Sequence, residues 1–168
     1  MKAELPYEKA KEIADNIVAL LKPYCDRIEI AGSIRREKAI VGDIEIVAIP
    51  KPYQSGLFED GLATVVNKWQ KVKGDLNYGH TKYTQRILPD GIKLDLFFAE
   101  PENWGLIFAI RTGSADFSHK VLANGWVKAG YKSQDGYLWH GRDKYNCREE
   151  IDLFNRIGVP YIEPKDRV

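Results

Sequence analysis

Cysteine, methionine and histidine are scarce in this chain: two, one and three of 168 residues. Cys25 and Cys147 stand far apart and match no zinc-ligand spacing, so a reduced, cytoplasmic setting is the expectation. His80, His119 and His140 form no ligand pattern. No apolar run approaches the roughly 20 residues of a membrane span, and the N-terminal residues do not read as a signal peptide. No membrane partner is expected. Internal repeats and low-complexity stretches are also missing, which leaves solenoids and disordered tails aside.

Excess charge is lacking too. The net charge is +1, and by itself it says nothing about nucleic acid. Its distribution says more. Residues 68–86 carry Lys68, Lys71, Lys73, Lys82 and Arg86 against Asp75, and residues 111–148 carry seven basic side chains against three acids. Each segment is therefore +4, and the rest of the chain is acidic. Two basic segments flanking an acidic one suit a phosphate ligand held around a metal site; two solvated faces are the competing reading.

What is present is an ordinary apolar complement, 44% of residues, in a chain of one domain or one domain with a small lobe. Pro6 to Lys22 reads as an amphipathic helix, with Ala10, Ile13, Ala14, Ile17, Leu20 and Leu21 on one face. Arg27–Ala31 and Ile44–Ile49 read as strands, Leu57–Gln70 as a helix after a loop over residues 51–56. Thr84–Leu88 and Ile92–Phe98 flank a Pro-Asp-Gly turn and read as a hairpin. Pro101–Arg111 and Ala115–Ala129 read as helices, the second capped by Ser114. Residues 131–133 and 137–140 read as a small hairpin, Arg148–Arg156 as a short helix, and the rest as an extended tail. The expected class is α+β: a mixed sheet covered by helices, with a domain over 1–110 and a small lobe over 111–168.

One stretch carries chemistry. Gly32-Ser33-Ile34-Arg35-Arg36 is followed by Gly42-Asp43-Ile44-Glu45. In a strand, i and i+2 share a face, so Asp43 and Glu45 point the same way. Gly32 lets the backbone approach a phosphate, Ser33 offers a hydroxyl, and a helix starting there favours anions. Arg35 and Arg36 offer forked donors to phosphate. Asp95 lies on the polar side of the second hairpin arm, with Lys93 and Phe97. If its strand neighbours the first, three carboxylates converge. Like charges about 4 Å apart repel by roughly 4 kcal/mol at an effective dielectric near 20, which calls for a cation. Oxygen-only ligands suit Mg²⁺, with Mn²⁺ as a substitute, and two ions would clamp a phosphoryl displacement. Three strand-edge acids facing water are the competing reading.

With these residues named, the chain resembles the nucleotidyltransferase superfamily and, within it, the family X DNA polymerases. The resemblance rests on three blocks: Gly32–Arg36 with Gly42–Glu45; Lys93-Leu94-Asp95-Leu96; and Thr112-Gly113-Ser114 with the tail Tyr161–Arg167. It implies a palm-type mixed sheet and DNA polymerase activity on primed or gapped DNA with a dNTP and two Mg²⁺ ions. Asp43, Glu45 and Asp95 would be the catalytic and metal-binding acids. Gly32, Ser33, Arg36 and Gly42 would contact the triphosphate, and Thr112 and Gly113 would line the sugar and base pocket. Arg111 would touch the incoming nucleotide or template, or stand as a solvated helix-end arginine. Lys82, Ser118, His119 and Lys120 would touch DNA. The family's Gly113–Ser114 bond is cis. Glu45 stands where Asp is more usual, and Ile110 and Arg111 stand where two aromatics are frequent.

Only about 25 residues precede the first strand, so the resemblance implies a compact core without a lyase domain, of the size of compact viral members. A monomer with distributive synthesis and steeply salt-dependent DNA binding is expected. Two other functions compete. One is nucleotidyl transfer to a non-templated acceptor; the other is a catalytically silent nucleic-acid-binding module. Trp69, Trp104 and Phe108 read as core. Trp126, Tyr131, Tyr137 and Trp139 read as packing of the lobe, or as a surface that meets nucleic acid.

Overall fold

The computed structural model describes residues 3–52, 61–76 and 81–168. The chain divides into two compact units, Met1–Phe98 and Ala99–Val168. It is α+β, as expected. The division drawn from the sequence at residue 110 falls inside a helix whose Leu106 and Ala109 belong to the second unit's core, so the boundary moves to Phe98.

The first unit opens with β1 (Leu5–Pro6) and α1 (Tyr7–Leu21). Pro6 is the helix N-cap rather than its first residue, because its extended backbone pairs with Ile40. Ala10, Ile13, Ala14, Ile17 and Leu21 are buried at helical spacing, whereas Leu20 is 53% exposed. A step of one residue turns the helix by about 100°, which carries Leu20 off the stripe. Then follow β2 (Cys25–Ile30), α2 (Gly32–Arg35), β3 (Ile40–Val41) and β4 (Asp43–Pro50). α3 covers only Gly61–Val66; residues 53–60, including the start of the expected helix at Leu57 and part of the expected loop, lie outside the described residues. Its end is a correction: Gln70, read as helical, begins strand β5 (Gln70–Lys73). The hairpin is β6 (Tyr83–Ile87) and β7 (Lys93–Phe98).

These strands make one five-stranded sheet in the order β2-β4-β7-β6-β5. β4 and β7 are parallel and the other pairs antiparallel. One face is apolar: Ile28, Ile44, Ile46, Leu94 and Leu96 pack under α1 with Val66. Burial of each such side chain contributes about 1.5–3 kcal/mol. That face also takes Arg86, 3% exposed, whose Nε donates to Thr84 Oγ1 (3.0 Å) and Nη1 to the Trp69 carbonyl (3.3 Å). Arg86 therefore leaves the set of cations expected to meet phosphate.

The second unit holds α4 (Trp104–Thr112), α5 (Ala115–Phe117), a π-helical segment Ser118–Ala123, α6 (Asn124–Lys128), β8 (Lys132–Gln134), β9 (Tyr137–His140), β10 (Asp143–Tyr145) and α7 (Glu150–Ile157). Pro101 does not begin α4, which starts at Trp104 after a turn. The expected 115–129 helix is one path whose middle is π-wound. The hairpin β8–β9 turns through Asp135-Gly136 at φ 54° and 79°, the two-residue turn whose twist matches antiparallel strands. The sheet order is β10-β9-β8, with β10 a strand the sequence reading lacked. Leu138, Trp126, Phe117, Leu153 and Phe154 form the core.

Candidate active site

The site in the first unit follows from register. Asp43 and Glu45 alternate along β4 with Ile44 and Ile46, which are fully buried. The acids therefore take the face opposite the core. The parallel pairing sets Asp43 beside Lys93 and Glu45 beside Asp95. All three carboxylates thus stand on one face of two neighbouring strands about 4.8 Å apart.

The side chains of Glu45 and Asp95 have different neighbours. Glu45 reaches toward α2: a Cβ built on Gly32 would overlap its carboxylate. Gly32 also sits at φ 60°, where an L side chain is strained. Glycine is required twice over. Asp95 is held from β6. Its Oδ1 accepts from the Tyr83 hydroxyl and from Gln85 Nε2 at 2.7 Å. Tyr83 is itself held by a stack on Phe97, with centroids 4.9 Å apart, and Lys73 lies over its ring. Among the described residues, no group of three or more His, Cys, Asp or Glu side chains is gathered at metal-binding range.

Arg36 ends α2 beside this acidic face. Burial holds its guanidinium pKa below the ordinary value, and the charges of Glu45 and Asp43 offset only part of that. Ser33 Oγ is buried and, among the described residues, has no hydrogen-bond partner. A buried hydroxyl without a partner costs about 1–3 kcal/mol, so it points to a ligand atom. Gly42 is half-buried between β3 and Asp43. α2 is a single turn, so the anion-favouring helix start expected there is small.

The expected metal ligands, Asp43, Glu45 and Asp95, offer oxygen donors alone. That chemistry fits a hard divalent cation such as Mg²⁺ or Mn²⁺.

The second unit holds the remaining expected residues. Thr112 is fully buried and its hydroxyl donates to the Phe108 carbonyl at 2.7 Å, so its side chain is spent on its own helix. The Gly113–Ser114 peptide bond is cis. Ser114 Oγ accepts from Phe117 N (3.2 Å), the cap read from the sequence. Arg111 is exposed. Ser118 Oγ donates to the Ile110 carbonyl at 2.8 Å. His119 and Lys120 are exposed on the π-helical segment, and Lys120 pairs with Asp116 at 3.4 Å. Lys82 is exposed at the head of β6 in the first unit. Trp104 and Phe108 are buried core, Trp69 packs against the first core, and Trp126 and Tyr137 are buried. No protein-family model matches the chain, and no curated protein matches it.

Three residues were missed from the sequence. Tyr83 and Gln85 were legible in principle, because the Pro89-Asp90-Gly91 turn fixes the hairpin register that puts Gln85 opposite Asp95. Glu150 was not: nothing in the sequence marks it as the partner of Arg167.

Proposed function

We propose that the chain is a DNA polymerase of the family X kind, adding a deoxynucleotide to a primer 3′-hydroxyl. The observation that carries this reading is the placement of Asp43, Glu45 and Asp95 on one face of adjacent strands, beside the Gly32-Ser33 turn and Arg36.

Each residue has a part in that reading. Asp95, buried and oriented from β6, accepts the proton of the attacking 3′-hydroxyl. The new bond joins the 3′-oxygen to the α-phosphorus, and the bond from that phosphorus to the bridging oxygen of pyrophosphate breaks. Arg36 offers its fork to the phosphate oxygens that gain charge, and Ser33 Oγ supplies a hydrogen bond now unmade. Asp43, Glu45 and Asp95 would hold Mg²⁺, which when bound polarises the phosphoryl group and eases loss of the hydroxyl proton. Glu45 needs the space Gly32 leaves, because a Cβ there would overlap its carboxylate.

Extension of gapped and ungapped primers with each single dNTP or NTP, in Mg²⁺ and in Mn²⁺, tests this. Only the template-complementary dNMP should be added, and Asp95→Ala should abolish addition while largely sparing DNA binding. Addition regardless of template would replace this reading with terminal transfer, and no addition by the unaltered chain would reject it.

A further inference from the structure

The small sheet of the second unit has two unlike faces. Leu138 is fully buried in the unit's core, and Tyr145, its register partner, packs there too. Residues one position along turn the other way. On that outer face the register sets Trp139 between two lysines: Lys132 on β8 and Lys144 on β10. Directly opposed side chains have Cβ atoms about 5 Å apart, so the three make one row across the sheet. Both lysines are exposed and Trp139 is half-buried. The indole is not loose, because its Nε1 donates to the Gln134 carbonyl at 3.1 Å. Tyr137 lies next to it along β9, with Lys144 Nζ 4.3 Å from its ring centroid.

Charge sorts with the register as well. None of the residues that these pairings put on the outer face is acidic. Asp143, opposed to His140, belongs with the other face. Glu100, which reaches Tyr137, is engaged by that residue's hydroxyl. An indole fixed in place between two exposed cations, with the nearby Glu100 carboxylate engaged by the Tyr137 hydroxyl, is a poor water-facing surface. It is a good one for a planar ring carrying phosphates on either side.

We infer that the outer face of β8–β10 binds an unpaired nucleic-acid strand, stacking one base on Trp139 and placing its phosphates on Lys132 and Lys144. The choice of nucleic acid over another aromatic anion rests on the polymerase reading; the geometry of the platform does not. A stacked base is sequence-tolerant, since every base has a flat face, so binding is indifferent to sequence. The lysines make it salt-dependent through counterion release.

Fluorescence anisotropy of labelled oligo-dT with the full chain, across a salt series, tests the inference. Trp139→Ala is expected to weaken binding about tenfold, and Trp139→Phe, which keeps a ring, to lie within about threefold of the unaltered chain. Lys132→Gln with Lys144→Gln should flatten the plot of log Kd against log salt by about 0.7 for each lysine removed. The lysine pair is exposed and so reports even if Trp139→Ala fails to fold. No oligo-dT binding by the unaltered chain at low salt overturns the inference. So does binding by Trp139→Ala within twofold of the unaltered chain, or an unchanged salt slope in the lysine pair. Extension of a flush primer–template separates the two readings: its absence rejects the polymerase, while loss of oligo-dT binding alone rejects only the platform.

Discussion

Gln85 stands opposite Asp95 across the β6–β7 hairpin and donates its side-chain amide to Asp95 Oδ1 at 2.7 Å. With the Tyr83 hydroxyl on the same oxygen, that side of the carboxylate is held by two donors from β6. A hydrogen bond to a charged group is worth about 1.5–3 kcal/mol. Removing one should let Asp95 swing without exposing core. Tyr83→Phe and Gln85→Leu are each expected to lower turnover about tenfold and the melting temperature by several degrees. Gln85→Glu should cost more than Gln85→Leu, because it sets a like charge against Asp95. Single-turnover extension beside thermal melts checks the order.

Gly32 and Glu45 share one volume. A Cβ at residue 32 would overlap the Glu45 carboxylate, and the backbone there is at φ 60°. Gly32→Ala is expected to destabilise by about 1–3 kcal/mol and to suppress turnover by displacing Glu45. Shortening the acid relieves the closest overlaps, with Oε2 and Cδ, but not the 2.9 Å approach to Cβ or the backbone strain. Gly32→Ala with Glu45→Asp should therefore recover part of the stability lost in Gly32→Ala, measured by denaturant midpoints.

Much of this molecule could be read before folding, and the rest failed for identifiable reasons. Periodicity found the α1 stripe because Ala10, Ile13, Ala14 and Ile17 all face one core. Turn chemistry found both hairpins. The acids were legible because Ile44, Ile46, Leu94 and Leu96 between them are unmistakably interior. β5 and β10 were not. Gln70–Lys73 is exposed at every position, and Asp143–Tyr145 is nearly so, so neither alternates. Each is a strand only because a neighbour offers it hydrogen bonds. Arg86 was read as a surface cation because sequence gives its charge but not the Thr84 hydroxyl and Trp69 carbonyl that satisfy it.

Burial pushes the Cys25 thiol up to about 11 and the Cys147 thiol up to about 12. Both stay protonated near neutrality, and the thiolate is the reactive form. Alkylation by iodoacetamide at pH 8 is expected to be slow in the native chain and fast in denaturant. The linkage has a definite sign. In the unfolded chain the thiols ionise near 9, below their folded values, so the unfolded state loses protons first. Their contribution is intact below about 9 and fades as pH rises through 11 and 12. Replacing both with Ala or Val should flatten the alkaline limb of a stability–pH curve.

Arg167 ties the tail to the body of the second unit. It is fully buried, its Nη1 donates to Glu150 Oε2 at 2.6 Å, and its Nε donates to the Ile162 carbonyl at 2.9 Å. Its guanidinium lies 5.2 Å from the Phe154 ring centroid. The Arg167 carbonyl accepts from Ser114 N at 3.3 Å, so the tail also braces the turn after Gly113. Breaking a buried pair from one side leaves an uncompensated charge and costs about 3–5 kcal/mol. Arg167→Ala and Glu150→Ala should each lose that much in urea denaturation. Arg167→Met with Glu150→Leu removes both charges and should recover a large part of the loss. If the double variant is as unstable as the sum of the singles, the charge pair is not what holds the tail, and the backbone bond to Ser114 becomes the anchor to test next.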